Sequence, residues 1–137
     1  GGRLQFQKRW VDQNTVMELW DLYDQDRKPL PPTHPQGRKP HPGEYHTVVE
    51  VWTVSSGHKI LLILRDPRKE MFPGKRKNTG GSALAGENSR QAAVRELREE
   101  TGIAAEPEEL TPLGVFRGTE AFHDVYMLRR DIPIGKR

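Results

Sequence analysis

The stretch GGSALAGENSRQAAVRELREETGI, Gly80 to Ile103, decides how the rest of the 137-residue chain is read. Its second half reads as a helix from Asn88 to Glu100, with Asn88 or Ser89 able to cap the start and Gly102 supplying the stop. Glu96, Glu99 and Glu100 are related by i+3 and i+4. At about 3.6 residues per turn they project from one side of that helix. Ala93 and Leu97, with Val94 beside them, form an adjoining stripe suited to a core. Three carboxylates on one face repel each other. Water screens them in an ordinary Glu-rich surface helix, and a bound cation neutralises them in a metal site. Oxygen ligands with no His or Cys among them suit a hard ion, Mg²⁺ or Mn²⁺, rather than zinc. Glu87 can approach the same face, and Arg95 can pair with a carboxylate and fix its rotamer.

The spacing around the helix favours the metal site over the solvated surface. Gly81 is followed by five residues and Glu87, then seven residues and Arg95-Glu96-Leu97; one residue further come Glu99-Glu100, and one beyond those Gly102-Ile103. This series resembles the Nudix box at every fixed position. The resemblance implies an α+β fold, with a mixed β-sheet sandwiched between α-helices as an α/β/α sandwich and the box (81–103) forming a loop–helix–loop. It implies hydrolysis of a diphosphate linkage in a nucleoside diphosphate derivative or another organic diphosphate. Glu96, Glu99 and Glu100 would be catalytic and, with Glu87, would hold the Mg²⁺ (or Mn²⁺) ion that neutralises phosphate oxygens and acidifies a water. One carboxylate, in the box or outside it, would take the proton. A carbonyl from a Gly80-Gly81 turn would complete the coordination, because glycine lets backbone approach closely. Gly81, Arg95 and Gly102 are then structural members of the box.

Outward from the box, the pattern is globular between Tyr45 and Leu128. His46–Val54 and Lys59–Leu64 read as two strands of a hairpin joined at Ser55-Ser56-Gly57. A basic, Pro/Gly-punctuated loop runs from Arg65 to Lys77, and Leu113–Arg117 and His123–Leu128 read as later strands. Hairpin, loop, helix and strands in this order indicate an α+β domain with a mixed or largely antiparallel sheet. Five prolines between Leu30 and Gly43 require an extended loop. Residues 1–16 are expected to be a leader, a tag or a displaced strand segment, with the Nudix domain spanning 17–137. Leu4 and Phe6 alternate with polar neighbours, so RLQFQKRWVD (Arg3–Asp12) could pair with the C-terminal strands.

The run Gly43–Glu87 is similar to the Nudix branch nearest the isopentenyl diphosphate isomerases. In that branch, Arg65 and Lys69 stand where basic residues meet the diphosphate, and His46 stands at an isomerase metal-ligand position. The three are candidate substrate-phosphate contacts. The departures decide between branches. The isomerase's catalytic cysteine position holds Gly80, its second histidine position Ser82, and its downstream glutamates are represented at most by Asp124, with Phe122 at the other position. The expectation is therefore a hydrolase, with isomerase-like activity or a non-catalytic sensor of a phosphorylated metabolite as alternatives.

Composition is consistent with this. The chain has no cysteine, which excludes disulfides, cysteine–zinc sites and thiol nucleophiles. No apolar run approaches the roughly 20 residues that span a bilayer, so a cytoplasmic protein with no membrane partner is expected. Lys and Arg number 22 against 19 Asp and Glu, a net charge of +3 too diffuse to indicate nucleic acid. The Arg65–Lys77 loop also lacks interleaved aromatics other than Phe72. A small-molecule diphosphate is the expected partner, and a homodimer stays open. Trp52, Tyr45 and Phe116 could stack on a base, although aromatics at strand positions are more often core.

Overall fold

A computed structural model describes residues 19–31, 40–64 and 76–133. The expectations for residues 1–16, for most of the proline-rich loop and for Arg65 and Lys69 lie outside the described residues. The strand β1 (His46–Val54) consists mostly of β-branched residues, which suit a pleated surface. Its side chains alternate between buried and half-buried from Thr47 onward. It lies at the centre of a four-stranded sheet. β4 (Thr79–Ser82) runs antiparallel along one side, and β6 (Ala121–Arg129) runs parallel along the other. β5 (Thr111–Arg117) closes the order β4-β1-β6-β5, antiparallel to β6 and with a register irregularity between Pro112 and Gly114. Between β1 and β4, the short β2 (Ile63–Leu64) and β3 (Arg76–Lys77) pair as a separate two-stranded ribbon.

The helix α1 (Ser89–Thr101) packs on one face of this sheet. Ala92, Ala93 and Leu97 are fully buried and meet Val49, Val51, Tyr126 and Leu128. Two alanines on the contact stripe let the helix axis approach the strands closely. Ser89 Oγ and Tyr126 Oη share a 2.7 Å hydrogen bond at the helix start. Thr47 and Asp124 are buried on this face as well. Side chains of opposite parity (Val48, Glu50, Trp52, His123, Val125 and Met127) are only partly buried. Among the described residues α1 is the only α-helix, joined by one 3₁₀ turn at Pro107–Glu109.

Several expectations change in detail. The helix starts at Ser89 with Asn88 as its cap, and it ends at Thr101. The hairpin closes where Ile60 bridges Val54 and Leu61 N–H donates to Thr53 O. After that the chain peels away from β1, and Ile63–Leu64 pairs with β3 instead. Gly80 and Gly81 do not form a turn. They lie within β4, registered against Glu50 and Val49. Paired glycines lack side-chain signals of a strand, so only the backbone partner β1 makes them one. Phe116 is 56% exposed rather than core, and Tyr45 and Trp52 are half-buried.

Candidate active site

The site is assembled from β4, the loop 83–88 and α1. Asn88 begins the helix with a reciprocal cap: its side chain accepts from Gln91 N–H at 2.8 Å, and Gln91 Oε1 accepts from Asn88 N–H at 2.9 Å. Gly102, at φ 82°, ends it in the left-handed conformation, with its N–H on Arg98 O. Both ends are therefore pinned, which fixes the rotation of α1 and with it the direction of its carboxylates. The loop is tied internally, Leu84 N–H donating to Glu87 Oε1 at 2.8 Å. It is also tied to the segment before β1. Ala85 N–H donates to Leu19 O at 2.6 Å, and Gly86 N–H to Asp21 Oδ2 at 2.9 Å.

Arg95 is the hub. Its Nε and Nη2 grip the two oxygens of Glu87 at 2.6 and 3.0 Å, a bidentate pair. Nη2 also reaches Ser82 O on β4 at 3.1 Å, and Nη1 bridges Glu96 at 3.1 Å and Glu99 at 3.2 Å. The hydrogen bonds to Glu87 hold its guanidinium above the ordinary arginine range. Glu100 turns the other way and accepts the Gly80 N–H at 3.2 Å. Glu96 is buried directly over Gly81. A Cβ there would collide with Glu96 Oε2 and stand 2.6 Å from its Cδ, so Glu96 holds this position only because residue 81 is glycine. Burial raises the Glu96 carboxyl to about 7; the nearby Arg95 opposes that rise and the Glu100 carboxylate adds to it.

The structure thus brings together Gly80, Gly81, Glu87, Arg95, Glu96, Glu99 and Glu100. It does not close them into a finished cage: among the described residues no three or more acidic or histidine side chains converge at metal-binding distance. Three of the carboxylates are instead directed to Arg95. The donor set nevertheless fits a hard divalent ion. It is all oxygen, and the buried Glu96 beside Glu100 is a carboxylate pair that requires a proton or a cation between its charges. Glu99, whose side chain is 60% exposed, is held among the described residues only by Arg95.

His46 lies apart from this hub. It is buried under Trp20, ring centroids 3.8 Å apart and nearly parallel, and burial lowers its pKa. Its Nδ1 has no hydrogen-bond partner among the described residues. Reading the sequence did not single out Arg27. It donates two hydrogen bonds to the buried Asp124, at 2.8 and 2.6 Å, and one to Thr47 Oγ1 at 3.1 Å. It also stacks over Phe122. Ninety-seven residues separate the two ends of that ion pair, so no local pattern announces it. The Asn88–Gln91 cap, by contrast, was available as an Asn-x-x-Gln signal before an apolar stripe.

Comparison with known proteins bears on the same residues. The family model for the NUDIX domain matches residues 44–134. An uncharacterised Nudix hydrolase of Listeria monocytogenes is 34% identical over 119 residues, covering 86% of this chain and 70% of the relative. One from Clostridium acetobutylicum is 31% identical, covering 77% and 52%. A crystal structure from Deinococcus radiodurans superimposes with a TM-score of 0.59 at 27% identity, over 83% of this chain and 73% of that one. A MutT/nudix family protein from Enterococcus faecalis gives a TM-score of 0.55 at 20% identity, over 67% and 39%. The match spans the sheet, the Arg95-centred loop and α1 alike, and the chain belongs to the Nudix hydrolase family.

Proposed function

We propose that this Nudix hydrolase cleaves a diphosphate linkage in a nucleoside diphosphate derivative or another organic diphosphate, with Mg²⁺ or Mn²⁺ as its cofactor. The supporting observation is the buried Glu96, raised to about 7 beside Glu100 and clamped by Arg95 over Gly81. An acidic pair held this way is a poor structural element and a good cation site. Glu96, Glu99 and Glu100 would hold the ion, with Glu87 and the Gly80 carbonyl beside them. When bound, the ion supplies positive charge to phosphate oxygens and acidifies a water.

The remaining work falls to the protein. Arg95 positions Glu87, Glu96 and Glu99 together and keeps their rotamers from scattering into solvent. Gly81 leaves the space that Glu96 occupies, and the Gly80 N–H orients Glu100. A box carboxylate accepts the proton of the attacking water. Arg65 and Lys69 are proposed to meet the substrate's phosphates.

The test is phosphate release from nucleotide sugars, dinucleoside polyphosphates, nucleoside triphosphates and prenyl diphosphates, with and without Mg²⁺. At least one class should turn over, chelator should abolish the reaction, and Glu99→Gln or Glu100→Gln should lower it by orders of magnitude with unchanged circular dichroism. Unaltered rates in both variants would remove these carboxylates from the mechanism.

A further inference from the structure

We infer that Asp21 is a positioning residue for the cation site, a strut that sets Glu87 and the Arg95 hub from outside the box; the inference rests on the metal-dependent reading above. The Asp21 carboxylate accepts the Gly86 N–H at 2.9 Å, and beside it Leu19 O accepts the Ala85 N–H at 2.6 Å. The strut is anchored without help from the box. Trp20 is stacked on His46, and Leu22 is buried with its carbonyl accepting from Leu30 N–H. Tyr23 exchanges two backbone hydrogen bonds with Tyr45, at 2.8 and 2.9 Å. Asp21 stands exposed between these fastened residues, so its side chain is offered to the loop from a held backbone.

The loop needs such a hold. Leu84 to Glu87 is a turn closed by Glu87 N–H on Leu84 O at 2.9 Å, with Gly86 in its third position at φ 88°. That sign belongs to a type II turn; in type I the third residue has negative φ and the central peptide points the other way. Glycine takes either sign without steric cost. A Cβ built at Gly86 would meet nothing within 4 Å, so packing does not choose between the two. The central peptide is Ala85–Gly86, and its N–H is the one that Asp21 accepts. Reversing the peptide would turn that N–H away from the carboxylate, so Asp21 selects the orientation seen. The choice is passed on at once. Glu87 follows Gly86; its Oε1 accepts Leu84 N–H across the same turn, and its two oxygens take Arg95 Nε and Nη2. Arg95 Nη1 carries the arrangement to Glu96 and Glu99. Asp21 thus acts on the carboxylates through a backbone N–H.

The experiment uses the whole 137-residue chain, with Mn²⁺ uptake followed by electron paramagnetic resonance. Asp21→Ala removes both the charge and the acceptor, whereas Asp21→Asn removes the charge and keeps an acceptor. Asp21→Ala should weaken Mn²⁺ binding about three- to tenfold, the worth of one ordinary hydrogen bond, with circular dichroism unchanged. It should raise the Mg²⁺ concentration for half-maximal hydrolysis by the same factor, more than it lowers the rate at saturating Mg²⁺. In metal-free protein its Gly86 N–H should exchange faster with deuterium, and the Arg95 Nε–H resonance should shift. Asp21→Asn should stay within about twofold of the unaltered chain in Mn²⁺ affinity. Equal Mn²⁺ affinity in Asp21→Ala and the unaltered chain, or Asp21→Asn binding as weakly as Asp21→Ala, would overturn the inference and leave the hydrolase reading standing. An unaltered chain that takes up no Mn²⁺ would overturn both.

Discussion

At the scale of single residues, the two box glycines illustrate how one requirement can have two physical origins. At Gly80 an added Cβ meets backbone, colliding with Val49 O and standing 3.3 Å from Glu50 Cα. At Gly81 it meets only the end of the Glu96 side chain. Backbone in a central strand pair cannot yield, whereas a carboxylate can rotate away. Gly80→Ala should therefore cost roughly 2–3 kcal/mol in a urea titration, while Gly81→Ala should cost about 1 kcal/mol yet displace Glu96. Gly81→Ala should lose most of its hydrolase activity while remaining folded. Glu96 also makes stability pH-dependent. Folded, it holds its proton up to about pH 7; unfolded, it releases it near 4.5. The folded state thus binds the extra proton between those values, and metal-free stability must fall as pH rises across that window. Thermal melts in chelator from pH 4.5 to 7.5 should show a decline of several degrees, on the order of 1–2 kcal/mol. Glu96→Gln should flatten the profile, and Mg²⁺ should restore more stability at pH 7.5 than at pH 5.

At the scale of elements, α1 carries the chemistry and its ends hold it in register. Removing the Asn88 side chain leaves Gln91 N–H without its acceptor, so Asn88→Ala should cost about 1 kcal/mol. Gly102→Ala forces a β-carbon into the left-handed region at φ 82° and should cost about the same. Denaturant midpoints measure both, and additivity is expected because the two ends are separated by three turns of helix. These elements were legible because their information is local: cap residue, apolar stripe, carboxylate spacing and stop residue all fall within one short segment. β4 was not legible in the same way. Thr79–Ser82 has little strand propensity of its own and is extended because β1 offers four registered partners. The second hairpin strand was shortened for the same reason in reverse. Its apolar run suits pairing with β1, but the chain leaves β1 after Leu61 and pairs Ile63–Leu64 with β3.

At the scale of the molecule, the segment 19–31 ties together parts that are distant in the chain. It reaches the box loop through Leu19 and Asp21, Tyr45 at the entry to β1 through Tyr23, and β6 through Arg27. Arg27 holds a left-handed backbone conformation, at φ 64°, while gripping Asp124. Cutting it to alanine leaves Asp124 buried with its counter-charge gone. Arg27→Ala should therefore lower unfolding free energy by roughly 2–4 kcal/mol, and the Asp124→Asn partner in a double-mutant cycle should recover part of it. A loss below about 0.5 kcal/mol would mean that solvent replaces the arginine fully. The sequence by itself determined the family, the helix with its caps, the box and the carboxylates on one face, because each depends on residues within a few turns of one another. Only the tertiary structure decided the parallel pairing of β1 with β6, the strand at Gly80-Gly81, the Arg27–Asp124 pair and the Trp20 cover over His46. Those depend on which distant segments meet. That meeting is set by the burial of whole faces and by backbone hydrogen bonds between strands, and neither leaves a periodic mark in one short stretch of chain.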